Sequence, residues 1–214
     1  MIHLILGRNR DCSRALIDKM HRLRKQVFHD QLKWEVNVVR NWEIDHYDAV
    51  NPLYVIVTDE ADEVIGSVRI LPTTGLNMLN DTFPQLLPEG LPIESPRIWE
   101  LSRFTIRNPV IKSDFAKISA ATAELGLALN DIGKLAGISH YVAVYDAFMH
   151  RLLSRTGCAG DPISDPQFIG GVLSYAVTYE VGDEWEAVVN AQHKVGACHV
   201  DEQFVLEYAH SLAA

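Results

Sequence analysis

The chain opens on an apolar run, Met1 to Leu6, interrupted only by His3, and this run predicts a strand. Leu16, Met20, Leu23 and Val27 then recur at the period of a helix face, with Asp11 ahead of them as the expected cap and Arg22, Arg24 and Lys25 near the far end. From Phe28 to Val50 the period is lost while Trp34, Trp42, Glu43, Asp45 and Asp48 accumulate. That predicts a long surface segment held by its own anchors, and long irregular segments of compact domains are commonly functional. Two β-rich runs, Leu53 to Thr58 and Val64 to Leu71, flank the acidic stretch Asp59 to Glu63 and predict a hairpin ended by Pro72 to Gly75. A Pro-rich segment, Pro84 to Pro96, leads into a strand over Ile98 to Ile106. On regular pleating Ile98, Glu100, Ser102, Phe104 and Ile106 share one face, so Arg103 points away from Glu100 unless a bulge re-aims one of them.

The second half alternates. A helix is expected from about Asp114 to Ala136, stopped by Gly137, then a strand over His140 to Tyr145 and a helix opened by Asp146 and closed by Gly157. A strand around Leu173 to Val181 and a helix around Glu184 to Gln192 follow. Strands mixed with helices in this order predict an α/β fold, an αβα sandwich with a mixed central sheet. The 214 residues show no linker, repeat or low-complexity tract and fit a single domain over 1–214, since sheet-bearing domains run to roughly 200 to 250 residues.

Charge narrows the partners. A formal charge of −9 repels phosphate backbones and anionic lipid, so neither nucleic acid nor a membrane is expected, and any anionic partner needs a local basic patch. The apolar start is too short for a signal-peptide core, and no run approaches the roughly 20 residues that span a bilayer, so the expected location is the cytoplasm. Cys12, Cys158 and Cys198 are odd in number and widely spaced, which suits neither a disulfide framework nor a zinc pattern; they are expected to be packing residues. His193, Cys198 and His199 lack metal-ligand spacing, and no metal is expected.

Two groups of charges carry candidate chemistry. In Trp42 to Asp48, extended backbone would point Glu43 and Asp45 the same way, and like charges held close raise one pKa, a route to a general base. A solvated acidic loop accounts for the same residues. Arg69, Glu100 and Arg103 interrupt apolar β runs, and buried charges need partners, so they read either as an active-site network or as structural ion pairs. Phe28, Trp34 and Trp42 could form an aromatic face for an adenine ring or a sulfonium, or serve as core aromatics.

These features coincide in one family. Arg24, Phe28 and Trp34, the run WEIDHYD with Glu43, Asp45 and Asp48, Arg69 in SVRILPTTG, Met78-Leu79, Phe83-Pro84, and IWELSRF with Glu100 and Arg103 follow in order. In this order and spacing the sequence resembles the acyl-homoserine-lactone synthases, the LuxI-type autoinducer synthases, most closely over residues 20 to 106. The resemblance implies a fold similar to GCN5-related N-acetyltransferases. It also implies an acyltransferase for quorum sensing that joins an acyl group from an acyl thioester to the amine of S-adenosylmethionine and closes N-acyl-homoserine lactone, releasing methylthioadenosine. No cofactor is implied, because S-adenosylmethionine is a substrate. Glu43, Asp45, Asp48, Arg69, Glu100 and Arg103 look like the family's charged catalytic cluster, with Glu43 and Glu100 as proton acceptors and Arg69 and Arg103 holding the carboxylates; Arg24, Phe28 and Trp34 look like the S-adenosylmethionine side.

An acyl pocket is expected from Met78, Phe104, Ala143 and Met149, and Ala143 sits about where members making 3-oxo products often carry Thr, which implies an unsubstituted chain. Acyl-carrier protein, or coenzyme A as the other donor, is anionic and is expected on the side of the helix Asp146 to Thr156 that bears His150, Arg151 and Arg155, with Phe148, Leu152 and Leu153 facing the core. The competing functions are a general GCN5-related N-acyltransferase using acyl-CoA, whose pyrophosphate loop would have to be Gln167 to Val172, and a non-catalytic small-molecule-binding regulator.

Overall fold

The computed structural model describes residues 1–9, 11–107, 120–155, 157–192 and 200–213. In chain order the elements are β1 (Ile2–Leu6), α1 (Arg14–Arg24) continuing into a π-helical turn (Lys25–Gln31), β2 (Val38–Val39), β3 (Trp42–Glu43), β4 (Leu53–Thr58), β5 (Val64–Pro72) and α2 (Met78–Asp81). Then come β6 (Ile98–Ile106), α3 (Ala120–Ala136), β7 (His140–Asp146), α4 (Ala147–Arg155), β8 (Asp161–Pro162), β9 (Gln167–Ile169), β10 (Val172–Glu180), α5 (Asp183–Gln192) and α6 (Glu202–Ala213). Among the described residues eight strands form one sheet in the order β1-β4-β5-β6-β7-β10-β8, with β9 added on β10. Only β6 and β7 are parallel, so the sheet is mixed.

Alternation along the strands supplies an apolar layer on each face. Leu53, Val55 and Val57 of β4 and Val68 and Ile70 of β5 pack under α3 and α6 against Leu125, Leu129, Ile132, Val205 and Tyr208. On the other face Tyr54, Ile56 and Val64 meet Ile17, Met20, Leu23, Val27 and Phe28 of α1 and its π-helical turn. The result is an αβα sandwich. Further along that face the Pro-rich segment covers β7 and β10, with Leu79, Leu86 and Leu87 against Val142 and Ala176.

Several expectations need correction. Asp11 does not cap α1; the helix begins at Arg14 with Ser13 at the cap, and no side-chain bond closes that end. The segment after Phe28 is largely exposed and held by a few buried residues, as expected, but it is not irregular. It forms a small β2–β3 hairpin and a turn of 3-10 helix at His46–Ala49, and it buries Glu43, Tyr47 and Asp48. Glu43 and Asp48 are buried through ion pairs, which leave no apolar pattern to read at those positions. The start of α3 near Asp114 and the end of α4 at Thr156 lie outside the described residues. Helix α6 was missed although its signal is present: Asp201 accepts from the Phe204 N–H at 3.0 Å as an N-terminal cap, and Val205 and Tyr208 repeat at helical spacing. Cys12 is exposed rather than packed, while Cys158 packs beside Leu127 and Val189. Cys198, with His193 and His199, lies outside the described residues. No helix among them is long and apolar enough to cross a membrane.

Candidate active site: a buried guanidinium–carboxylate cluster

Six charges from four parts of the chain meet under α1. Arg24, 1% exposed, donates from Nε to Glu43 Oε2 at 2.5 Å and from both terminal nitrogens to Asp48, at 2.8 and 2.9 Å. Arg69, pointing to the same face from β5, donates to Asp45 Oδ1 at 2.5 Å and Asp48 Oδ1 at 3.0 Å. Arg103 of β6 donates to Glu43 Oε1 at 3.0 Å and pairs with Asp45 Oδ2 at 2.7 Å. Each of the three carboxylates thus bridges two arginines. Asp45 and Asp48 also close a reciprocal capping box, and Tyr54 donates its hydroxyl to Asp48 at 2.8 Å.

The electrostatics reverse one expectation. Like charges were to raise a pKa within Glu43, Asp45 and Asp48, and burial does push the Asp45 and Asp48 carboxyls up. The guanidiniums outweigh it: Arg69 and Arg103 hold Asp45 below its usual range, and Arg24 and Arg69 hold Asp48 far below it. These aspartates are permanent anions near neutral pH, not proton acceptors. Glu100 is the opposite case. Burial raises its carboxyl, against the pull of the Leu79 and Met78 N–H groups and Arg69. Oε1 accepts from the Leu79 N–H at 2.6 Å, while Oε2 is buried with no hydrogen-bond partner. Met78 links the two parts: its sulfur accepts from Arg69 and from Arg103, each at 3.2 Å.

A bulge does re-aim Arg103, as the strand pattern required. The β5–β6 register shifts between Ser67↔Thr105 and Arg69↔Ser102, and Arg103 takes a left-handed backbone at φ 54°. A non-glycine residue there carries about 1–2 kcal/mol of strain, which the ion pairs of its side chain offset. The extra residue also inverts the later alternation. Phe104 and Ile106 therefore pack with Leu101 on the α3 face, not beside Glu100. Close by, β6 and β7 part: their ladder runs from Ile98↔His140 to Leu101↔Ala143, while β6 continues to Ile106 and β7 to Asp146. The sheet is split beside the bulge.

The Phe28 ring lies 5.6 Å from the Arg103 guanidinium and stacks on Trp34 at 5.4 Å. Trp34 in turn borders an open recess of about 590 Å³ with His29, Lys33, Glu35 and Val36.

The sequence family described as autoinducer synthase matches residues 9–189. The chain belongs to that family. An acyl-homoserine-lactone synthase of Rhizobium etli is 33% identical over 165 residues, covering 77% of each chain. The crystal structure of the synthase LasI superposes with a TM-score of 0.74 at 32% identity, covering 92% of this chain and 98% of that one. At the level of fold alone, an acyl-CoA N-acyltransferase from Pseudomonas aeruginosa matches with a TM-score of 0.52 at 9% identity, over 83% of this chain and 97% of that one. The enzyme is thus an acyltransferase of acyl-homoserine-lactone synthase type, on a fold shared with N-acyltransferases.

The synthase brings together all six residues expected as a catalytic cluster except that Glu100 stands apart behind Met78 and Leu79, and it adds Arg24, expected on the S-adenosylmethionine side, to the ion pairs. Trp42 does not join Phe28 and Trp34; it stacks on His21 and donates its indole N–H to Asp18. Tyr47 and Tyr54 were not singled out, yet Tyr47 lies under the Arg69 guanidinium at 5.4 Å. The four expected acyl-pocket residues do not share one wall. Met78 is on the cluster face, whereas Phe104 packs on the α3 face and Ala143, between the Val142 and Val144 side chains of the other face, points there too. Met149 is half-buried on α4. Of the expected docking cations, Arg151 and Arg155 are exposed, but His150 is half-buried and stacks on Tyr175 at 4.1 Å. Phe148 is 37% exposed instead of facing the core. Gln167 to Val172 forms the β9–β10 hairpin, turned by Gly170 and Gly171 at φ 57° and 83°. A hairpin offers no helix N-terminus to a pyrophosphate, which removes the loop the general acyl-CoA reading needed.

Proposed function

We propose that Glu100 is the proton acceptor of this synthase and that the Arg24, Arg69 and Arg103 cluster is a fixed electrostatic wall for S-adenosylmethionine. The buried, unpartnered Oε2 of Glu100 carries the reading, because every oxygen of Glu43 and Asp48 is already committed to a guanidinium. The α-ammonium of S-adenosylmethionine gives one proton to Glu100, directly or through water. The freed amine attacks the thioester carbonyl, the C–S bond breaks, and the departing thiolate takes up the second proton from nitrogen. The substrate carboxylate then attacks its own γ-carbon, the C–S⁺ bond breaks, and neutral methylthioadenosine leaves as the lactone closes. Orientation and preset charge are what such steps need.

The split between β6 and β7 supports bringing the two substrates from opposite faces. S-adenosylmethionine lies on the cluster face with Phe28 and Trp34, and the acyl chain passes Ala143, Phe104 and Met149 on the other, with Met78 at the crossing. Replacing Trp34 by Ala should raise KM for S-adenosylmethionine several-fold more than KM for the acyl donor, as read by methylthioadenosine release. Equal rises for both would mean general damage.

The donor in this reading is an acyl-carrier protein of the cytoplasm, met by Arg151 and Arg155, which lie one helical turn apart on α4. Reversing both charges should weaken use of acyl-carrier protein most at low salt, where exposed charges steer association, with smaller loss on acyl-CoA. Wild type supplied with either donor should form methylthioadenosine and lactone in equal amounts, and mass spectrometry should show an unsubstituted acyl chain. Unchanged low-salt kinetics in the double variant would remove the docking surface, and a 3-oxo lactone would remove the assignment based on Ala143.

A further inference from the structure

Helix α1 holds the cluster by more than its arginine. His21 is buried, its Nδ1 lies 2.9 Å from the carbonyl oxygen of Glu43, and its ring stacks on Trp42 at 5.6 Å and meets Tyr54 edge-on at 6.3 Å. One step before it Asp18 accepts the Trp42 indole N–H at 2.9 Å, and one step after it Arg24 takes the Glu43 carboxylate. Asp18, His21 and Arg24 recur at three-residue spacing along one side of the helix. They grip the two residues of β3 at the indole, the backbone carbonyl and the carboxylate. The β2–β3 hairpin itself has two residue pairs, and a ribbon that small does not hold its own position in water. The direction of Glu43 is therefore set from α1.

A carbonyl oxygen only accepts, so the hydrogen of this bond is on Nδ1. Burial, with the Arg24 guanidinium nearby, pulls the His21 imidazole below its ordinary pKa against the opposing pull of Asp48 and Glu43. The ring is then neutral and adds no second cation beside Arg24.

We propose that His21 is a positioning residue for this synthase: its Nδ1–H, donated to the Glu43 carbonyl, sets the direction in which the Glu43 carboxylate meets Arg24 and Arg103. This rests on the role given above to the cluster. The test compares full-length His21→Phe, which keeps a ring to stack but no donor, with His21→Asn, whose amide nitrogen stands near the Nδ1 position, and with Glu43→Gln as reference. His21→Phe is expected to lower kcat/KM for S-adenosylmethionine about tenfold, the scale of one hydrogen bond, with KM for the acyl donor little changed. His21→Asn should recover most of that loss. If His21→Phe does not fold, His21→Gln takes its place, since its amide nitrogen reaches the Nε2 position instead. Turnover of the Asn variant no better than that of the donor-less variant, or equal loss for both substrates, overturns the proposal. An impaired Glu43→Gln beside an unimpaired His21→Phe also overturns it, whereas a fully active Glu43→Gln instead dismisses the role of the cluster.

Discussion

Glu100→Gln is expected to lower turnover roughly 10²- to 10⁴-fold, the reach of a positioned general base, without loss of fold. The amide oxygen of Gln can still accept the Leu79 N–H that Oε1 accepts now, so α2 keeps its anchor on β6. What disappears is the Glu100 oxygen that has no hydrogen-bond partner. The stability effect has a definite sign. Burial raises the Glu100 pKa in the folded state, so the fold favours the protonated acid. Ionisation then costs stability as pH rises above the unfolded carboxylate range and through the raised native value. A glutamine cannot ionise, so at neutral pH the variant should melt at the same temperature as wild type or higher while making almost no lactone. In wild type kcat should rise with pH through this raised pKa, and that limb should be missing from the residual activity of the variant. A variant that melts well below wild type would make Glu100 a structural residue.

The largest stability loss is expected from Arg24→Met. Methionine fills the stem of the arginine side chain but is shorter and carries no charge, and loss of the guanidinium leaves Glu43 Oε2 and one side of Asp48 buried without their cation. Breaking a buried pair by removing one partner costs about 3–5 kcal/mol, far more than an exposed pair contributes. Urea unfolding at pH 7 reads this directly as a fall in the midpoint. The pH dependence follows from Asp48. Its folded pKa is depressed, so its contribution is present above the unfolded carboxylate pKa and is lost as pH falls through the folded value. Wild type should therefore lose stability steadily on acidification, and the gap between wild type and Arg24→Met should narrow. A gap unchanged between pH 7 and pH 3 would mean that Arg24 acts by packing alone.

The same cluster explains what could be read from the chain in advance. Strands β4, β5, β6 and β7 stood out at nearly their true bounds because each alternates or runs apolar between turn signals. The bulge followed from one local conflict, Glu100 and Arg103 on opposite faces of a strand that had to serve one site. Trp42 to Asp48 was readable as chemistry but not as structure, since its fold is specified by partners on α1, β5 and β6 rather than by neighbours in sequence. The short β8 and β9 had too few residues to show a period, and α6 went unseen although its cap and apolar spacing were there.

Periodicity and composition alone thus determined the α/β class, the mixed sheet and the residues able to carry charge into its interior, because those properties depend on local pattern. The tertiary structure decided how those charges divide the work. Only in three dimensions does Arg24 turn from a helix-end cation into the centre of the cluster, and only there are Asp45 and Asp48 locked as anions. Burial there raises the pKa of Glu100. The physical reason is that a pKa depends on the distance to charges brought together from four separate segments and on how much water they lose, and neither quantity exists before the chain folds.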